Sequence, residues 1–320
     1  MFITTIITFS CRNNKKSEDL DLVQLNGVAK NINKNLQQIS KDLKEVTLYA
    51  TYNIPYNNPV AWDDDRDTKK NQYSFTPGQN NTSAIYLPED KPLNAHLKKM
   101  IVHSKQIDSL FIKFVNDNSF VQQVYFLDTN SFLRIYPFTD VSRYFSKSIE
   151  LTNRLPYQKV YQKPFVGDQS YWVETPYADL YGHGWIISCV EPVYYRDQFI
   201  GILSADIPIK NLLQKYFQNP SEVLILTDKK GNVICTTPLG SKRFNIPLYR
   251  EFIYYKPVTR DILMYNSPSL AKHENKRLRN AINKILEGSC KENFYINSEK
   301  YTIYQAKIKE TNWLLLKIIY

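Results

Sequence analysis

The chain has 320 residues, 43% hydrophobic, 14% aromatic and 22% charged, a composition that excludes a wholly disordered or collagen-like chain. Lys and Arg total 41 against 31 Asp and Glu, a formal charge of +10, yet no dense Lys/Arg block occurs, so the excess reads as spread over solvated faces. At roughly 150 residues per domain the length fits about two domains, and 9 glycines leave little room for Gly-rich phosphate loops.

Met1 to Ser10 reads MFITTIITFS, an apolar run too short to span a bilayer; Cys11 follows, then the polar stretch RNNKKSEDLD. The arrangement resembles a bacterial lipoprotein signal, in which the Cys after a small residue is lipidated and becomes the mature N-terminus. Cys11 is the expected lipid-attachment residue, and residues 1–19 read as signal and tether. Thr8 stands where Leu is usual, and the basic n-region of a secretory signal is missing, which an upstream start codon would supply. A plain signal peptide, an uncleaved anchor and a cytosolic chain are the alternatives. No other stretch reaches about 18 apolar residues, so no second membrane crossing is expected. Cys189 lies in an apolar run and reads as a buried thiol, while Cys235 and Cys290 share the C-terminal segment and are a candidate pair.

Leu22, Leu25, Ala29, Ile32, Leu36, Ile39, Leu43, Val46 and Ala50 alternate spacings of three and four, which predicts one long helix over 20–50. The seam from 22 to 50 would span roughly 43 Å at 1.5 Å per residue. Its single apolar stripe must pack on its own chain or on a second copy, a homodimer through 22–50. Residues 51–89 are polar and turn-rich and read as loops with one short ordered piece, and 93–116 read as helical. The period then changes to two: 121–128, 132–137, 170–175, 184–195 and 198–207 read as strands, the last two joined in a hairpin by the Arg196–Asp197 turn. Residues 208–217 form a short helix with Pro at its first turn. A second unit follows: EVLILTD and NVICTT flank Lys229–Lys230–Gly231 as a hairpin, a helix runs over about 268–287 with Ser267 as cap, Pro268 in its first turn and Gly288 as stop, and ENFYINS, KYTIYQAKI and NWLLLKII close the chain as strands. The fold class is α+β: a long N-terminal helix followed by two modules, each an antiparallel sheet flanked by helices. No sequence repeat links the modules.

No GxxxxGK[ST], GxGxxG, HExxH or GxSxG occurs, and the four His are scattered. Cys189 with His183 six residues back is the sole candidate nucleophile pair worth naming. No residue pattern points to a metal, a cofactor or nucleic acid, and the chain reads as a non-enzyme.

Tyr136–Pro137 in RIYP, WVETPYADLYGHGW from Trp172 to Trp185, EPVYYRDQFIGILSADIPI from Glu191 to Ile209, and the closing ETNWLLLKII together resemble the double Cache sensor domains of bacterial chemoreceptors and sensor kinases. The resemblance covers roughly residues 20–320. It implies two PAS-like modules outside the cytoplasmic membrane: a membrane-distal one over 51–215 that binds a small ligand such as an amino acid, amine or carboxylate, and a membrane-proximal one over 216–320. With no second membrane helix and no output domain in the sequence, signalling is expected to pass through a membrane-bound partner.

The amino-acid-binding branch of that family carries an Arg, a Trp–Tyr pair two residues on, and a later Asp on the hairpin strand. Arg154, Tyr157 and Asp206 stand at three of those positions, and Pro156 stands where Trp is expected. An Arg fork suits a carboxylate and an Asp suits an ammonium. Trp172, Tyr177 and Asp179 form a second tier, the last two on a loop with Gly182 and Gly184. Each has a plainer reading: Asp206 as cap of the helix at Pro208, Arg154 as surface charge, Tyr157 and Trp172 as core. The functional expectation is an exported, lipid-anchored, periplasmic or cell-surface sensor protein in signal transduction. The alternatives are a structural or partner-binding lipoprotein with a vestigial pocket, and a hydrolase.

Overall fold

The computed structural model describes residues 20–53, 83–88, 90–91, 94–141, 144–145, 149–162, 170–247 and 268–320. Cys11, the expected lipid-attachment residue, and Ser267, the expected cap, lie outside the described residues. Among the described residues the chain divides into two compact units: one holds those between 34 and 218, the other 20–33, 219–247 and 268–320.

Helix α1 (Leu20–Asn53) is continuous, and its seam is used within its own chain: Leu25, Ala29, Ile32, Leu36, Ile39, Leu43, Val46 and Ala50 are all buried. That stripe is therefore not free for a second copy. The half from Lys34 onward belongs to the first unit, where Asn35 donates to Tyr216 Oη at 2.7 Å and Ser40 Oγ lies 3.6 Å from Cys189 Sγ. In the second unit, Asn33 Oδ1 accepts the Glu310 N–H at 2.9 Å and Lys317 pairs with Asp21 at 2.7 Å.

The first unit is built on a six-stranded antiparallel sheet of β1 (Ala84–Tyr86), β2 (Gln123–Asp128), β3 (Leu133–Tyr136), β4 (Tyr171–Ala178), β5 (Trp185–Tyr195) and β6 (Gln198–Pro208), in the order β1-β3-β2-β6-β5-β4. Helices α2 (Ala95–Ser104) and α3 (Asp108–Asp117) precede β2; Asn94 caps α2 by accepting the Leu97 N–H at 2.9 Å. The short α4 (Leu155–Tyr161) leads into β4, and α5 (Ile209–Tyr216) follows β6. The Arg196–Asp197 turn has positive φ at both residues, 46° and 64°, the conformation whose twist matches a two-residue hairpin.

The sheet's two faces do different work. On one face Arg134 is buried against the helices, its guanidinium bonded to both oxygens of Asp108, to Ser104 Oγ and to the Ile101 carbonyl. The other face carries Tyr125, Leu127, Leu133, Ile135, Val190 and Ile202 and packs against Leu151, Tyr157, Val160 and Tyr181. It is this second face that holds the cavity described below.

The second unit is a five-stranded antiparallel sheet in the order β8-β7-β11-β10-β9, from β7 (Val223–Thr227), β8 (Val233–Thr236), β9 (Lys291–Ile296), β10 (Glu299–Ile308) and β11 (Trp313–Ile319). Helix α6 (Pro238–Phe244) follows β8, and α7 (Lys276–Leu286) packs its apolar stripe, Leu278, Ala281, Ile282 and Ile285, on the sheet. The C-terminal helix is shorter than expected. Pro268 lies before it, residues 270–272 form a 3-10 turn, and α7 starts only where Asn275 accepts the Arg277 and Leu278 N–H groups; Gly288, at φ 115°, lies just past its end. The candidate Cys235–Cys290 pair does not form, since Cys235 is a free, buried thiol on β8. The two units share a device the sequence does not advertise as a repeat. Asp128 accepts the N–H groups of Asn130 and Phe132, and Asp228 those of Lys230 and Asn232, so one aspartate organises the first hairpin of each sheet.

Register between β6 and β2 depends on Gly201. A Cβ there would meet the Leu127 carbonyl oxygen at 2.3 Å and Asp128 Cα at 2.9 Å, both backbone atoms that cannot step aside. Gly201→Ala is expected to lower the unfolding free energy by about 1–3 kcal/mol, as overpacking does, measured by urea denaturation; an unchanged midpoint would refute the close approach.

Candidate ligand-binding site

Strand periodicity and register build the site. Gln123 pairs with Asp206, and Asp206 pairs with Ser188, so three polar side chains form a row across β2, β6 and β5 on one face. Two residues along, Tyr125 pairs with Ser204; two further, Leu127 pairs with Ile202. The row is wired together. Gln123 Nε2 donates to Asp206 Oδ2 at 2.7 Å and to Asp179 Oδ1 at 3.2 Å. Ser188 Oγ donates to Asp206 Oδ1 at 2.5 Å, which leaves Tyr177 Oη, also 2.5 Å away, as the donor to Ser188. Gln123, Ser188, Asp179 and Asp206 are all buried.

Asp179 follows β4 and organises the loop to β5. Its Oδ2 accepts the N–H groups of Tyr181 at 3.1 Å and His183 at 3.0 Å, and its own N–H donates to the Gly184 carbonyl at 2.8 Å. Gly182 and Gly184 supply the positive φ values, 80° and 87°, that this tight loop requires. His183 Nδ1 lies 2.7 Å from the same Oδ2 but outside hydrogen-bonding geometry, an ionic contact when the ring is protonated. Asp179 Oδ2 is thus fully occupied by its own loop, whereas Asp206 has accepting capacity left.

Above this row lies a cavity of about 170 Å³, lined by Tyr125, Tyr177 and Tyr181, by Asp179 and Asp206, by Asn153 and Arg154 at the start of α4, and otherwise by aliphatic side chains and Pro156. The Arg154 charge acts on Tyr125 and Tyr181, opposing the pull of the carboxylates on both phenols.

A family model described as Cache domain matches residues 14–319. The chain belongs to the double Cache family. Among solved structures it is similar to the ligand-binding domain of the Pseudomonas fluorescens chemoreceptor CtaA in complex with L-alanine, at 13% identity with 94% of this chain and 97% of that chain covered and a TM-score of 0.56. It is similar also to the periplasmic sensory domain of the Campylobacter jejuni chemoreceptor Tlp1, at 14% identity, 94% of each chain covered and a TM-score of 0.57. A third is the ligand-binding domain of the Pseudomonas aeruginosa amino acid chemoreceptor PctB in complex with L-Gln, at 10% identity, 94% of this chain and 90% of that chain covered and a TM-score of 0.52. No curated protein matches. At these identities the likeness is one of fold.

Within this double Cache fold, four of the sequence-predicted residues, Arg154, Tyr177, Asp179 and Asp206, line one cavity. Tyr157 is not among the lining residues: it is buried one turn into α4, stacked on Tyr161 and edge-on to Phe199 at 5.7 Å in each case, and burial, aided by Asp128, pushes its phenol up to about 12. Trp172 is also buried outside the cavity. It pairs with Cys189, whose Sγ meets Ser40 of α1, so both point to the sheet's helix-bearing face. The same placement separates Cys189 from His183, which reaches Asp179. Gln123, Tyr125, Ser188 and Tyr181 were not singled out from the sequence. The available signal was a polar residue interrupting an apolar strand, Gln123 in VQQVYFLD and Ser188 in GWIISCVEP, at the parity of Asp206.

Burial, reinforced by Asp179, raises Asp206 from 3.8 to about 7 against the opposing bonds from Ser188 and Gln123. Burial likewise lifts the phenols of Tyr125, Tyr177 and Tyr181 well above their ordinary range. The folded chain then holds a proton on Asp206 that the unfolded chain releases between about pH 4 and pH 7, so folding stability falls as pH rises through that window. Asp206→Asn is expected to flatten that slope, by up to about 4 kcal/mol across the window at about 1.4 kcal/mol per unit. Denaturation series at several pH values check it, and parallel curves for both proteins would contradict the buried acid.

Proposed function

We propose that this chain is an extracytoplasmic sensor protein whose first module binds a small metabolite carrying an ammonium and a carboxylate, an α-amino acid or a close relative. The observation that carries the reading is the convergence of Asp206 and Arg154 on one cavity walled by Tyr125, Tyr177 and Tyr181. Asp206 takes the ammonium, assisted by the rings through cation–π attraction. Arg154 takes the carboxylate. Gln123, which donates to both Asp179 and Asp206, holds the two carboxylates in place. Family membership supports the sensor role, and the likeness to CtaA and PctB domains holding amino acids supports the ligand class. A cavity with charged groups at its wall argues against a vestigial pocket, and the separation of Cys189 from His183 against a thiol hydrolase.

The test is a thermal-shift panel of amino acids, amines and carboxylates on the whole chain. A true ligand at 100 times its Kd adds about 2.7 kcal/mol of stability. Asp206→Asn is expected to remove the shift for every ammonium ligand, while Arg154→Ala weakens amino acids and spares simple amines. Affinity falls as pH drops below about 7, because the proton on Asp206 competes with the ammonium. A wild-type panel without a single shift, or a ligand untouched by Asp206→Asn, would sink the assignment.

The reading extends to export, lipidation at Cys11 and action through a membrane-bound partner. Among the described residues no helix is long and apolar enough to cross a membrane. Mass spectrometry of the N-terminal peptide from membrane fractions is expected to show a lipid thioether at Cys11; a free or disulfide-bonded Cys11 removes the anchor from the proposal.

A further inference from the structure

Most of the chain's net charge sits in the second unit. Residues 20–33, 219–247 and 268–320 hold 15 Lys and Arg against 8 Asp and Glu, +7 of the chain's +10. One end of that unit's sheet joins such cations to exposed rings. Lys300 and Tyr295 are cross-strand partners beside the Asn297–Ser298 turn, and Arg277, in the first turn of α7, donates to the Tyr295 carbonyl at 3.3 Å. Thr302 pairs with Ile319, which brings the start of β10 level with the end of β11. Arg243, in the last turn of α6, donates to Tyr301 Oη at 2.8 Å and lies 3.3 Å over the Tyr320 ring. Helix α1 begins at the same end. Asp21 reaches Lys317 and Asn33 reaches Glu310, so α1 runs antiparallel to β11.

Tyr295, Tyr320 and Leu20 are 49%, 57% and 77% exposed, too much apolar surface at one end to be incidental to its charge. The acids there are paired: Glu299 with Arg243, and Asp21 and Glu222 with Lys317. Lys276, Arg277 and Lys300 are exposed and have no ion pair among the described residues, while exposed Glu274 offsets one of them. We propose that this end of the second unit docks on an anionic phospholipid bilayer, with Lys276, Arg277 and Lys300 meeting the headgroup charge and Tyr295, Tyr320 and Leu20 entering the interface. Basic residues are drawn to an anionic surface within a Debye length, and tyrosine seats its apolar body and polar tip at headgroup level. A soluble acidic partner would use the charges and leave the rings and Leu20 in water, which is why the conjunction favours lipid. The surface needs no lipid at Cys11. An anchor there would hold this same end within about 30 Å of the bilayer, nine residues at roughly 3.3 Å each.

Flotation with phosphatidylcholine vesicles, made with and without phosphatidylglycerol, tests this on the whole chain carrying Cys11→Ser, which removes any anchor. Binding is expected only with phosphatidylglycerol, and it weakens as NaCl is added. Each Lys or Arg removed costs about fivefold in affinity, the equivalent of about 1 kcal/mol, so the variant with Lys276→Gln, Arg277→Gln and Lys300→Gln together loses about a hundredfold. Tyr295→Ser with Tyr320→Ser also weakens binding. Lys229→Gln with Lys230→Gln, on the β7–β8 turn at the opposite end of the sheet, changes it by less than about twofold. Absence of binding to phosphatidylglycerol vesicles overturns the proposal. So does an equal loss in the Lys229 and Lys230 variant, which would make the attraction diffuse, or displacement by inorganic phosphate at constant ionic strength, which would make the site one for a soluble anion. Where the triple variant does not fold, the wild-type vesicle comparison and the Lys229 and Lys230 variant decide. None of these outcomes bears on the amino-acid reading of the first module.

Discussion

A carboxylate at the centre of a sheet is the constraint from which the rest of the site follows. Asp206 stands on β6, between β2 and β5, with almost no access to water. An unsupported charge there would cost far more than a small domain can spare. Two responses are built in. Gln123 and Ser188 lie directly opposite Asp206 in register and donate to its two oxygens. Even so, burial and the nearby Asp179 keep the proton on Asp206 to about neutrality. The cavity therefore suits the proposed ammonium: a cation entering it would supply the compensation that the protein's own dipoles leave incomplete.

Asp179 shows how one residue type serves a different end a few ångströms away. Its carboxylate ties down the loop from β4 to β5 through the Tyr181 and His183 N–H groups, and Gln123 couples it to Asp206. The loop brings Tyr181 into the cavity wall as a consequence. The proposed ammonium contact at Asp206 and the loop from β4 to β5 thus share a hydrogen-bond network, in which loss of one member is felt by the others.

The long helix obeys the same economy. Its seam is buried on its own chain, and it contributes Ser40 beneath Cys189 on the sheet face turned away from the cavity. Cys189 is there a packing residue. The face that bears Arg134 and its bonds to Asp108, Ser104 and Ile101 is likewise occupied by structure, which leaves the opposite face for function.

Local pattern was enough to read the helix, the hairpin at Arg196–Asp197, the α+β class and the strand bearing Asp206, because periods of 3.6 and 2 and turn chemistry are properties of neighbouring residues. The start of α7 was misread because Pro268 mimics a first helical turn, while the cap is Asn275, seven residues later. Tyr157 and Trp172 were indistinguishable from pocket residues in the sequence; which way a buried ring points depends on helix phase and strand pairing partners far away in the chain. The meeting of Gln123, Asp179, Ser188 and Asp206 was decided only by register across β2, β6, β5 and the loop after β4. A shift of one residue would have turned Gln123, Ser188 or Asp206 to the face that carries Arg134, and nothing in the local pattern of any single strand states how it aligns with the next.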